Sequence, residues 1–137
     1  MRFELELALV EGRLDVAELP AAWNAKMKEY LGIDVPDDAH GCLQDIHWSH
    51  GAFGYFPTYA LGNLYAAQFF GTALRDIPGF WSNVAAGEFR PLREWLRKNI
   101  HSHGRRKLAI EFVRDIAGAE PSPEPFMQYL KNKYKQY

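Results

Sequence analysis

One cysteine, Cys42, stands among 137 residues, so no internal disulfide can form and a reducing, cytoplasmic compartment is expected. No apolar run approaches the ~18 residues of a membrane-spanning helix, and the first residues lack the pattern of a secretory leader. No membrane partner is therefore expected. A net charge of −1 gives no overall pull toward nucleic acid or anionic lipid. Catalytic signatures are equally scarce. There is no G-x-S-x-G elbow, no phosphate-binding loop and no dinucleotide glycine fingerprint. The five histidines stand at 40, 47, 50, 101 and 103, and no two are separated by four, so the helical zinc motif H-E-x-x-H does not occur here. Strand-like alternation is rare as well, which argues against a sheet.

What the chain has is apolar bulk. Hydrophobic residues make up 47% and aromatic residues 15%, enough to exclude disorder and to build one domain over residues 1–137. Charge is unevenly spread. Residues 1–45 hold ten acidic and four basic side chains, whereas residues 90–114 hold eight basic and two acidic ones. Arg90, Arg93 and Arg97 recur opposite Leu92, Trp95, Leu96 and Ile100, the pattern of an amphipathic surface helix. Without interleaved stacking aromatics it does not suit nucleic acid.

Helical periodicity runs through the chain, and about seven helical segments are expected in a compact all-α fold. "RFELELALVEG" spaces Phe3, Leu7 and Val10 on one face, with Leu5 and Leu9 beside it and Gly12 at the stop. No capping side chain precedes it, so the natural helix is expected to begin upstream of Met1. "ELPAAWNAKMKEYLG" has Pro20 in its first turn, Gly32 past its end, and Trp23, Met27, Tyr30 and Leu31 as an inward stripe. Pro57 to about Arg75 is apolar nearly all round and reads as a central helix. Three shorter segments follow, closed by Gly87, Gly104 and Gly118. A last helix is expected to turn Phe126, Tyr129, Leu130 and Tyr134 inward.

The chemistry-bearing residues cluster in "GCLQDIHWSHGAFGYFPTYALGN", residues 41–63. Asp45, His47 and His50 lie close enough in sequence for a metal site, but nothing supplies a helical scaffold for one, and no metal ligand is assigned. Asp45 can instead hold His47 in one tautomer. A fixed His47, or the hydroxyl of Tyr55 or Tyr59, can then donate to a developing oxyanion or a substrate carboxylate. Structural hydrogen bonding of these same groups is the alternative, and the residues alone do not separate the two.

"GCLQDIHW" fits a G-x-x-Q-D-x-H-W pattern at Gly41, Gln44, Asp45, His47 and Trp48. With "GYFPTYALGNLYAAQ", "RFELELAL", "LPAAWNAKMKEYLG" and "YLKNKYKQY", it resembles the C-terminal segment of the thermostable carboxypeptidase (carboxypeptidase Taq) family of zinc metallocarboxypeptidases. The resemblance covers essentially the whole chain. It implies the C-terminal part of a larger helical fold, a homodimeric or otherwise homo-oligomeric enzyme, and removal of C-terminal residues from peptide substrates. By position, Gln44, Asp45, His47 and Trp48 would line or support the substrate groove. His47, Tyr55 and Tyr59 would have supporting catalytic roles. Zinc would belong to the complete enzyme and not to this chain, because the H-E-x-x-H region precedes the resembling segment. The partner implied is the N-terminal catalytic portion, without which the chain is expected to be inactive. A stand-alone helical module that binds peptide or protein without catalysis is the alternative.

Overall fold

The computed structural model describes residues 1–135. These form seven α-helices and no strand: α1 (Arg2–Val10), α2 (Leu19–Leu31), α3 (Phe56–Asp76), α4 (Phe80–Ala85), α5 (Arg90–Asn99), α6 (Ala109–Ala117) and α7 (Glu124–Tyr134). The all-α expectation and the number of helical segments agree with this. No helix among the described residues is long and apolar enough to cross a membrane. The chain divides into two compact units, one from Met1 to Ala60 and one from Leu61 onward.

The first unit is built on α1, α2 and a run of 3₁₀ turns at Asp38–His40, Cys42–Gln44 and Trp48–His50. Leu5, Trp23 and Cys42 form its buried centre, with Leu19, Met27, Val35 and Trp48 packed around them. The periodicity of α1 is misleading. Its buried residues are Leu5 and Glu6, while Phe3 and Val10 are 49% and 72% exposed. Leu5 wins the inward position because it meets Trp23, and Glu6 because it finds hydrogen-bond donors below the surface. In α2, Trp23 is buried as expected, but Tyr30 and Leu31 face outward. The Tyr30 hydroxyl lies 2.9 Å from the Glu4 carboxylate, so its polar end is satisfied with the ring left in water. Lys26, and after it Tyr30, hold the Glu4 carboxyl below its ordinary value. A depressed carboxylate stabilises the fold above its ordinary titration range, and that contribution is lost as pH falls through the lowered folded-state value. Gly32, at φ 69°, ends α2 with its N–H on the Lys28 carbonyl, a left-handed turn that costs glycine little.

The second unit packs Ala73, Ile77, Phe80 and Trp95 together, with Leu92, Leu96 and Ile116 at the edges. The basic face of α5 points outward and Trp95 inward, as its spacing requires, and the Trp95 indole donates to Asp76 at 2.8 Å. The buried side of helix α3 is mixed, with polar side chains beside the buried Phe56 and Ala73. Gln68 and Thr72 are buried there, while Leu61 and Phe70 are more than 40% exposed. Gln68 earns its position by donating to the Glu120 carbonyl and accepting from the Ser122 N–H, both at 3.0 Å. In α7, Phe126 and Leu130 are half-buried, but Tyr129 and Tyr134 are exposed, contrary to the inward stripe expected of them. Lys133 lies over both rings, 5.4 and 5.8 Å from their centroids, and donates to the Tyr129 hydroxyl.

Replacing Leu5 by Ala should destabilise the chain by about 2–5 kcal/mol, because it empties a buried site against Trp23. Val16→Ala, at a position 79% exposed, should change stability by less than about 0.5 kcal/mol. Urea titration followed by tryptophan fluorescence compares the two.

Candidate functional site

The segment from Gly41 to Tyr59 is held in place at three points. The first is Gly41, whose φ of −111° and ψ of −122° bring its backbone against neighbouring chain. A Cβ built there would lie 2.8 Å from Val35 Cγ1 and 3.1 Å from the Asp37 carbonyl oxygen, so a side chain would have to move the Val35 methyl and crowd the Asp37 carbonyl. The second is Gln44, whose carboxamide donates to the Ala39 carbonyl and ties two consecutive 3₁₀ turns together. The third is Glu6. Its carboxylate accepts the Trp48 indole N–H at 2.8 Å and the Gly54 backbone N–H at 2.6 Å, binding both ends of the 48–54 loop to α1. Sequence reasoning missed Glu6, although a carboxylate between Phe3 and Val10 on an apolar face was a signal that a buried partner waits for it.

Asp45 is the electrostatic centre. Its side chain is fully buried. Oδ1 accepts from the backbone N–H of His47 at 2.9 Å and of Trp48 at 3.4 Å, an Asx turn that starts the Trp48–His50 turn. Oδ2 lies 2.9 Å from Arg2 Nε and 3.1 Å from His47 Nδ1. A carboxylate facing Nδ1 makes that nitrogen the donor, so His47 Nε2 is left to face the Tyr59 hydroxyl, 3.1 Å away. Tyr55 stacks on the imidazole at 5.7 Å between centroids, and Phe56 meets it edge-on at 5.0 Å. The ring is therefore fixed both by hydrogen bonds at its nitrogens and by packing on its faces.

Beside this chain of groups opens a cleft of about 720 Å³, lined by Arg2, Trp23, Gln44, His47, Phe56 and Tyr59 among others. Three of the sequence-predicted residues, Gln44, His47 and Tyr59, reach it. Asp45 lies behind His47, Trp48 packs against Trp23 and Phe56 at 6.4 and 5.9 Å, and Tyr55 stands on the face of His47. Arg2 was missed by sequence reasoning. It follows Met1 with no motif around it, and only the fold brings it to Asp45.

The donor set does not suit a metal. Among the described residues, no three His, Cys, Asp or Glu side chains gather into a group able to hold one. Both His47 nitrogens have partners within hydrogen-bond distance, and His50 is exposed on its turn. No step of a metal-dependent reaction is assigned to these side chains.

The first unit thus brings a carboxylate-backed histidine and a tyrosine hydroxyl together at an aromatic cleft. Residues 1–134 match the family described as carboxypeptidase Taq (M32) metallopeptidase. The chain belongs to that family. It is 44% identical to carboxypeptidase 1 of Bacillus subtilis and 46% identical to thermostable carboxypeptidase 1 of Thermus thermophilus, in each case over 98% of its own length. It covers 27% and 26% of those proteins, so it spans about a quarter of the curated relatives it matches. The crystal structure of the M32 carboxypeptidase from Deinococcus radiodurans R1 superposes with a TM-score of 0.93 at 38% identity, over 98% of this chain and 27% of that one. That of a Pyrococcus furiosus carboxypeptidase gives 0.91 at 41%, over 97% and 27%. The fold is thus that of one part of a larger helical peptidase.

Glu6→Ala should leave the Trp48 indole and the Gly54 amide without acceptors, at about 1–3 kcal/mol for each buried donor. Faster hydrogen exchange at these two groups, against unchanged exchange in α5 and α6, is the expected NMR result.

Proposed function

We propose that the cleft beside His47 forms part of the substrate groove of a metallocarboxypeptidase, and that Tyr59 is the hydrogen-bond donor it offers to the peptide. The observation that carries this is the unbroken series from Asp45 through His47 to Tyr59, ending at the cleft. With Nδ1–H on Asp45 and a neutral ring, Nε2 accepts the Tyr59 proton and the phenol oxygen presents only lone pairs. With Nε2 also protonated, the imidazolium donates to the phenol oxygen and frees the Tyr59 O–H to point at a substrate oxygen. A hydroxyl polarised this way is suited to the carbonyl oxygen that gains negative charge as water adds and the C–N bond breaks.

Gln44 supports the floor of the groove, and Trp48 holds His47 from behind through Phe56. Tyr55 keeps the imidazole plane fixed by stacking. The zinc of such a peptidase is held, on this proposal, by polypeptide outside these 137 residues, and the chain alone is inactive. Exposed Phe53, Trp81 and Phe89 suit association with further polypeptide, and a homo-oligomer is the proposed state in solution. A cytoplasmic location is the proposed compartment, which a free, buried thiol suits.

The purified chain with equimolar zinc should release no C-terminal amino acid from a blocked dipeptide. Addition of the N-terminal three-quarters of the Thermus thermophilus relative should restore release. In that reconstituted enzyme Tyr59→Phe should lower kcat by about 10²–10³-fold with little change in KM. Hydrolysis by the chain alone, or full activity of Tyr59→Phe, would refute the assignment. Light scattering at micromolar concentration should give a mass above 15.7 kDa, and a strict monomer would count against the oligomer.

A further inference from the structure

We infer that the chain carries a self-association contact, in which the acidic turn at residues 15–18 of one copy enters a basic-rimmed apolar cleft in the second unit of another. The inference rests on the homo-oligomer proposed above and names the two surfaces that meet.

The cleft has a volume of about 480 Å³. Tyr65 and Phe69 of α3, Ile100 just past α5, and Leu108 and Phe112 at α6 make its apolar wall. His103 lies against Phe112 at 5.8 Å between centroids, and its Nε2 is 3.0 Å from the Lys98 carbonyl oxygen, which fastens the loop at that edge. Leu108 is nonetheless 70% exposed. A large aliphatic side chain left in water beside aromatic rings gains when something covers it.

The rim is cationic. Arg105 borders the cleft and Arg106 follows it, both exposed and neither in an ion pair with another described residue. The carboxylates of that neighbourhood are already engaged. Asp115 holds the Lys107 ammonium, and Glu111 accepts the Leu108 N–H at 2.6 Å. An approaching carboxylate therefore meets two guanidinium groups that no acid has claimed.

The matching surface is in the acidic part of the chain, where residues 1–45 hold ten acidic and four basic side chains. Acid and apolar surface coincide at the 3₁₀ turn Val16–Glu18. Val16 is 79% exposed, and the carboxylates of Asp15 and Glu18 flank it with no cation paired to either among the described residues. Glu18 accepts the Asp15 N–H at 3.3 Å, closing the turn on which Val16 stands. Other acids have cations of their own: Glu11 is paired with Arg13, Asp34 with Lys28 and Asp37 with His40. The turn thus offers an isopropyl group for the apolar wall and two charges for the two guanidinium groups. Complementary charge sets the register of such a contact, and apolar burial holds it.

The test uses the 137-residue chain from micromolar to millimolar concentration, followed by sedimentation equilibrium and methyl NMR. Mass should rise with concentration, and the Val16 and Leu108 methyl signals should shift along the same isotherm. In a mixture of ¹³C-labelled and unlabelled chains, isotope-filtered NOEs should join the Val16 methyls to the Phe69 or Phe112 ring. Raising salt to about 1 M, where charges are screened beyond about 3 Å, should weaken association at least about tenfold. Arg105→Glu combined with Arg106→Glu should weaken it at least as much. Val16→Ala should weaken it about five- to tenfold, the loss expected when two methyl groups no longer leave water. If the double arginine variant does not fold, Val16→Ala and the wild-type NOEs decide. Association that all these changes leave intact, with shifts centred elsewhere, would overturn this contact and leave the homo-oligomer standing. Val16 and Leu108 signals that do not respond to concentration would overturn it too. A strict monomer up to millimolar concentration would remove both the contact and the oligomer.

Discussion

The buried carboxylate of Asp45 is the constraint on which the rest of the first unit's site depends. A charge with no solvent contact is tolerable only when its lone pairs are filled, because desolvation costs several kcal/mol per ion. Three groups within hydrogen-bond distance fill them here, the His47 ring and two successive backbone N–H groups, and the Arg2 guanidinium 2.9 Å away supplies the counter-charge. Each donor is positioned in turn by meeting the same two oxygens. One acid therefore sets the start of a 3₁₀ turn, the tautomer of a histidine and the direction of an arginine.

Around that centre the fold uses polar side chains as fasteners. Glu6 binds the two ends of the 48–54 loop, and Gln68 in the second unit binds the backbone at 120 and 122 with both atoms of its amide. Both occupy helix faces where apolar residues would otherwise sit. Loops carry backbone groups that need partners, and a buried carboxylate or amide on a neighbouring helix supplies them where solvent cannot. The consequence for function is a site built largely on irregular backbone that is nonetheless tied to helices, which holds His47 and Tyr59 within hydrogen-bond distance.

Much of this was legible in the residues. Seven helices, the glycine stops of α2 and α6 and the outward basic face of α5 follow from spacing, because each is a local property of the chain, whereas α5 ends at Asn99 with Ile100 as its cap, before the expected Gly104. The G-x-x-Q-D-x-H-W pattern marked the segment that forms the cleft wall, and the Asp45–His47 contact was foreseeable from two residues close in sequence. Burial was less legible. Phe3, Val10, Tyr30 and Tyr129 carry apolar surface in a helical pattern and yet are exposed, while Glu6 and Gln68 are buried. The hydrophobic pattern says which faces would gain by burial. It does not say which neighbours exist to provide it.

Sequence alone therefore determined the helical class, the family resemblance and the chemistry available: a carboxylate, an imidazole, two phenols and no set of metal ligands. Tertiary structure decided which of those groups meet. Arg2 is 43 residues from Asp45 and Glu6 is 42 from Trp48, separations over which spacing carries no information. Such contacts exist only because α1 packs on the turn-rich segment through Leu5, Trp23 and Cys42. The motif supplied the groups, and packing of a helix that carries no motif supplied their partners.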